Sequence, residues 1–433
     1  MGNGTKWAQG VALAVAAVAI AGCGSSGGGG GSTGSAAKPV HLSFWGWAPG
    51  YQDSVKAFNA SHPNIKVSFQ QVTPGSKGGY QKMLTAVKAG NGPCLAQVGY
   101  ETLPTFVAQG AVTDISSYAN GSAGEFTPAA WNGVRVAGKT YGVPVDIGPM
   151  AMFYNKQLFS KYHIAVPKTW AQYRAAGLAL KKANPAVKLT SGMTDYDFAG
   201  FDWQAGAPWY GTSGNTWKVS YNSPAGQKVA NYWQSLVSDG LISKAPTYDP
   251  TWLSGLANGQ IATVVGAVWQ AGTLKASKPI SGKFAVAPMP QWSAGANVVG
   301  NSGGSSTAVL KGCANTQAAW QFAHWMSTDR KSWPNLVTKG GLFPADKSLQ
   351  SLPVLNAGDP FFGGQKIFQV FKAAAPNVRQ GWVWGPGMQA ATTSLNDGLN
   401  KAWVGKETVP AAISSAQKAI VRELKQQGLS VKS

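Results

Sequence analysis

The chain runs to 433 residues, with 36 Lys and Arg against 16 Asp and Glu, a net charge of +20, 18 Trp, four His and three Cys. That length exceeds what one hydrophobic core organises and points to two lobes. The basic residues are scattered apart from Lys181-Lys182 and Arg330-Lys331, which fits general attraction to an acidic cell surface and argues against a nucleic-acid reader. His41, His62, His163 and His324 lie too far apart for ligand spacing, so no metal and no cofactor is expected.

In chain order, Lys6, the apolar run Val11 to Ile20 and the small residues before Cys23 read as an export signal over 1–22 that ends in a lipobox. Cys23 is then the lipidation site and 23–37 a Gly/Ser tether, roughly 20 Å long on random-coil scaling. A plain secretory signal cut after Ala21 and a membrane anchor are the alternatives. Ten apolar residues are too few to span a bilayer, and neither alternative needs a cysteine there. The body is therefore expected outside the cytoplasm, held to the membrane by lipid.

His41 to Trp45 alternates as a strand, and Tyr51, Val55 and Phe58 recur at helical spacing. Ile65 to Val72 is a second strand, Tyr80 to Ala89 a second helix and Leu95 to Gly99 a third strand. Strand alternating with helix implies a parallel sheet with crossover helices, hence an α/β fold. Further helices are expected at Tyr173 to Lys182, Gly226 to Asp239, Thr316 to Met326 and Pro410 to Gln427. With Cys23 assigned to lipid, Cys94 and Cys313 remain, either a disulfide or two buried thiols.

Gly133 to Thr140 matches the GxxxxGK[ST] pattern of a phosphate-cradling loop. Such a loop needs a helix after it, and Tyr141-Gly142-Val143-Pro144 forbids one. The segment reads instead as a hairpin turning at Ala137-Gly138-Lys139.

The tryptophans divide by context. Trp131, Trp170, Trp233, Trp320 and Trp325 sit in helical or hairpin patterns and are assigned to packing. Trp45, Trp47, Trp203, Trp209, Trp269, Trp382 and Trp384 lie in Gly/Pro-rich or strand-end stretches, where loops line clefts. Aromatic faces and carboxylates together suit a sugar, which offers C–H patches on its faces and hydroxyls at its edge.

Several stretches resemble the bacterial extracellular solute-binding proteins of ABC sugar importers, the family that includes maltose-binding protein. They are Leu42 to Trp47, Phe58-Asn59 through Val67, Gln97 to Glu101, Tyr141 to Asp146 continuing through Met152 to Lys156 and Pro167 to Trp170, and Gly282 to Phe284 through Ala287 to Pro290 and Gly303-Gly304. The resemblance implies the two-lobed type II periplasmic-binding fold. Each lobe would be a mainly parallel sheet flanked by helices, with 38–145 plus 290–343 in the first and 146–289 plus 344–433 in the second. Strand crossovers would form the hinge near Val145 to Gly148, Pro288 to Pro290 and Phe343 to Asp346. The strand returning over Ser302 to Leu310 would run antiparallel beside the third strand and bring Cys94 and Cys313 together as a disulfide.

The same resemblance implies a binding protein, not an enzyme. It would take a di- or oligosaccharide between its lobes, pass it to the transmembrane subunits of a permease and act as a monomer. Asp146 at the hinge and Glu101 past the third strand would accept hydroxyls. Asp202, Trp203, Trp209 and Trp269 would contribute from the second lobe, Gly303 and Gly304 would let the backbone approach, and Trp382 and Trp384 would add a face. An exported glycoside hydrolase or lyase is the alternative, and an adhesin a third reading.

Overall fold

The computed structural model describes residues 38–433; the leader, Cys23 and the tether lie outside them. β1 (Val40–Gly46), β2 (Ile65–Gln71) and β3 (Leu95–Gly99) alternate with helices Tyr51–Ser61 and Gly79–Lys88, close to the periods read from the sequence. β4 (Arg135–Val136) and β5 (Lys139–Thr140) form the expected hairpin, with Ala137 and Gly138 turning at φ 50° and 81°. Positive φ at both central positions matches the twist of the paired strands. β6 (Gly142–Pro144), β7 (Asp146–Ile147) and β8 (Met150–Asn155) follow, and later come β9 (Thr263–Ala267), β10 (Phe284–Pro288), β11 (Ser305–Val309) and β12 (Phe343–Pro344).

The first lobe is a five-stranded sheet in the order β2-β1-β3-β11-β6, with β1 parallel to both β2 and β3. β11 runs antiparallel between β3 and β6. At the near ends of β3 and β11, Cys94 and Cys313 are paired, their Cα atoms 4.5 Å apart, a spacing typical of disulfides. β8 lies at the centre of its sheet, antiparallel to both neighbours, β9 and β10, where a mainly parallel sheet was expected. Alternation along β8 feeds two cores, since Ala151 and Phe153 join one and Met150 and Met152 the other. Trp170 anchors the second core against Tyr173, Phe201, Tyr232, Trp233 and Trp292, the packing role expected of Trp170 and Trp233.

β7 pairs with β12, Asp146 opposite Pro344 and Ile147 opposite Phe343. After β10 the chain stays on the second lobe, where Gln291 exchanges backbone bonds with Lys168 and Trp170, Val299 bridges Val378, and Met150 donates to Gly300. Ser302 then donates to the Gly148 carbonyl, and the Gly148 amide to Asn301 Oδ1. Past β12, Ala345 donates to Val145 and Lys347 to Glu125, so this stretch still bonds to first-lobe backbone beyond the expected boundary at 344.

Gly303 and Gly304 make the crossing at φ 80° and 100°. A Cβ on Gly304 would meet Tyr100 Cε2 at 2.6 Å and the Asp146 carbonyl at 2.7 Å. Gly304→Ala is expected to cost about 3 kcal/mol from strain and overlap together. Gly138→Ala, whose Cβ would meet nothing within 4 Å, should cost about 1 kcal/mol. Urea denaturation of both variants checks the difference.

Candidate ligand-binding site

At the strand ends of the first lobe a buried polar chain fixes the geometry. The Asp146 carboxylate accepts from the Ser305 amide at 3.0 Å and hydroxyl at 2.7 Å. Gln97 donates to Ser305 Oγ at 3.2 Å and accepts from the amides of Trp47 and Ala48 at 2.9 and 3.1 Å. Tyr100 donates its hydroxyl to the Asp146 carbonyl at 3.0 Å. These bonds join the ends of β1, β3 and β11 to hinge strand β7.

Glu101 is buried and holds three hydroxyls: Tyr80 at 2.8 Å, Thr102 at 3.2 Å and, from the second lobe, Tyr196 at 3.3 Å. Around Tyr196 stand Trp269, whose indole donates to the Ser302 carbonyl at 2.9 Å, and Gly303, where a Cβ would come within 2.7 Å of the Tyr196 hydroxyl. Beside Trp269, Gln270 is fully buried, and its amide has no partner among the described residues.

The helix Asp195–Ala205 is capped by Thr194 and carries three buried carboxylates. Asp195 binds Thr392 and Asn396, Asp197 binds Thr194 and Tyr248, and Asp202 accepts from the Trp209 indole at 2.7 Å. Burial raises all of these acids, opposed by their hydrogen bonds: Asp146 and Asp197 are pushed up to about 6, Glu101 and Asp195 are raised, and Asp202 lies well above the carboxylate range.

Tyr100, Pro104, Asn132, Arg135, Ile147, Asn301, Trp203 and Arg379 to Trp384 line a cavity of about 250 Å³. Trp203 and Trp382 stack at 4.8 Å and 4°, and Trp384 stands edge-on to Trp382 at 5.2 Å. Ligand pockets usually span about 300–1,000 Å³, so this cavity is small for one.

Of the sequence-derived candidates, Trp203, Trp382 and Trp384 line this cavity. Glu101, Trp269 and Gly303 gather around Tyr196, and Trp47 meets Tyr80 edge-on at 5.6 Å. Gly304 and Asp146 belong to the hinge. Trp45, Asp202 and Trp209 differ from expectation. Trp45 lies on β1 beneath Lys82 Nζ, 5.1 Å from its ring centre. Trp209 is fully buried, stacked on Tyr221 at 4.3 Å, and spends its indole on Asp202. Asp202 and Trp209 therefore brace the aromatic wall from behind. Sequence reasoning passed over Arg135, Asn132, Arg379 and Gln380. Two signals stood nearby: Arg379-Gln380 directly precedes Gly381-Trp382, and Arg135 sits in the hairpin read in place of a phosphate loop.

Residues 46–331 match the model of the bacterial extracellular solute-binding proteins. The chain belongs to this family. Among solved structures it is similar to a galacto-N-biose-/lacto-N-biose I-binding protein of an ABC transporter from Bifidobacterium longum, in complex with lacto-N-biose (TM-score 0.82, 30% identity, 91% of this chain and 99% of that one). It is likewise similar to an ABC transporter associated binding protein from B. animalis subsp. lactis Bl-04 in complex with beta-1,6-galactobiose (TM-score 0.82, 28% identity, 92% and 100% covered). A lactose-binding protein of Rhizobium radiobacter is 24% identical over 359 residues, 78% of this chain and 82% of that protein.

The raised acids have a stability consequence. Asp146 binds its proton more tightly folded than unfolded, so its contribution is full below about pH 4 and is lost as pH rises through about 6. Asp146→Asn keeps an acceptor for Ser305 without the titration. Relative to the parent, this variant should gain stability between about pH 4 and pH 6 and level off above, as read by denaturant unfolding across that range.

Proposed function

We propose that this protein is the extracytoplasmic binding component of an ABC importer, that it closes its two lobes on a di- or oligosaccharide, and that it delivers the sugar unaltered to the permease. The observation that carries the reading is the cavity at the hinge, walled on one side by Trp203, Trp382 and Trp384 and on the other by first-lobe polar groups. Stacked indoles cover the C–H face of a sugar ring at little entropic cost, while groups from the opposite lobe reach its edge. A ligand that touches both lobes stabilises the closed form over the open one by the difference in contacts, which suffices to signal occupancy to a membrane partner. A glycosidase would require two carboxylates flanking the bond to be cut. The buried acids here are held by neighbouring hydroxyls, amides and indoles instead. Cys23 as the lipid attachment point, with the body leashed as a monomer at the membrane, completes the proposal.

Trp382→Ala should weaken binding of beta-1,6-galactobiose or lacto-N-biose, whichever the parent binds, by at least about tenfold in titration calorimetry. Its unfolding midpoint should stay near the parent's, because Trp382 is only half-buried. Unchanged affinity would remove the aromatic wall from the site. Cys23→Ser should release the protein from the membrane fraction into the soluble fraction.

A further inference from the structure

We infer that the ligand is an acidic saccharide, one bearing a carboxylate, sulfate or phosphate, held between Arg135 of the first lobe and Arg379 of the second. The inference rests on the sugar-binding reading and names its substrate class. Both arginines line the cavity, and both are exposed. Neither forms an ion pair among the described residues. Arg135 donates only to the Gly138 carbonyl at 2.9 Å and Arg379 to the Gln204 carbonyl at 3.2 Å, which leaves most of their donors free.

The remaining lining is equally short of negative charge. No Asp or Glu lines the cavity. Glu101 is committed to Tyr80, Thr102 and Tyr196, Asp146 to Ser305, and one oxygen of Asp202 to Trp209. The Trp382 indole nitrogen adds a further donor without a partner. A neutral sugar offers hydroxyls that seek acceptors as much as donors, and here the side-chain acceptors are the amide oxygens of residues such as Asn132 and Gln380. An anionic group would satisfy the surplus donors with charge-assisted bonds. It would also remove the repulsion between two like charges brought together when the lobes close, so the anion itself would favour closure.

The test measures affinity by calorimetry for matched pairs: 1,4-linked digalacturonate against neutral 1,4-linked digalactose, and galactose 6-sulfate and 6-phosphate against galactose. At least one acidic member should bind about tenfold or more tightly than its neutral counterpart, with the preference shrinking as salt is raised. Which acidic member wins identifies the anion. Arg135→Gln and Arg379→Gln should each reduce the acidic-to-neutral ratio about tenfold. Lys425→Gln, on the exposed face of the Val409–Gln426 helix, controls for overall charge and should leave the ratio unchanged. Equal or tighter binding of the neutral member in every pair, or a ratio that falls equally in Lys425→Gln, overturns this inference and leaves the sugar-binding reading standing. If the acidic and neutral saccharides, together with beta-1,6-galactobiose and lacto-N-biose, all fail to bind, both readings fall.

Discussion

The pair of hydrogen bonds from Ser305 to the Asp146 carboxylate is the constraint on which the binding geometry depends. Asp146 opens β7, where the chain leaves the first lobe, and Ser305 opens β11, where it returns. One buried acid thus ties both crossings together. The Gln97 side chain extends that link to Trp47 and Ala48 at the end of β1. A hinge built this way has its pivot fixed by polar bonds in a dry setting, where each bond is strong and an unmatched partner costly.

The same economy governs the other acids. Five carboxylates around the hinge and second lobe are buried and bonded to hydroxyls, amides or indoles, and burial raises every one of them. They act as struts. Asp202 positions Trp209, which packs at 5.6 Å from Trp382, so an acid placed behind the wall sets the orientation of an indole that faces the cavity. The residues left to meet a ligand are the aromatic faces, amides and arginines.

Much of this was legible in the sequence because one face of each early element is buried and the other wet. Alternation in β1 and helical spacing in Tyr51–Ser61 follow directly, and Pro144 was enough to reject a phosphate loop in favour of the hairpin. The helix Asp195–Ala205 escaped because it is buried on nearly every face, from Asp195 through Gln204 with only Tyr196 less covered; a helix without a wet side has no period to read. The backbone bonds that Gln291 to Gly300 make with Lys168, Trp170, Asn377 and Met150 leave no mark on residue types. The sequence likewise could not show whether Asp146 or Asp202 faces a ligand or a neighbouring Ser or Trp, because that depends on partners more than a hundred residues away for one and seven for the other.

The position of β11 has a consequence for the order of folding. It lies between β3 and β6, yet it is synthesised after the whole middle of the chain. As the polypeptide leaves the ribosome amino end first, β3 and β6 flank a slot that neither can fill, and their edges stay unpaired until Ser305–Val309 has been synthesised. The sheet begun first is therefore completed late, and through that interval its bare strand edges are exposed to unwanted pairing.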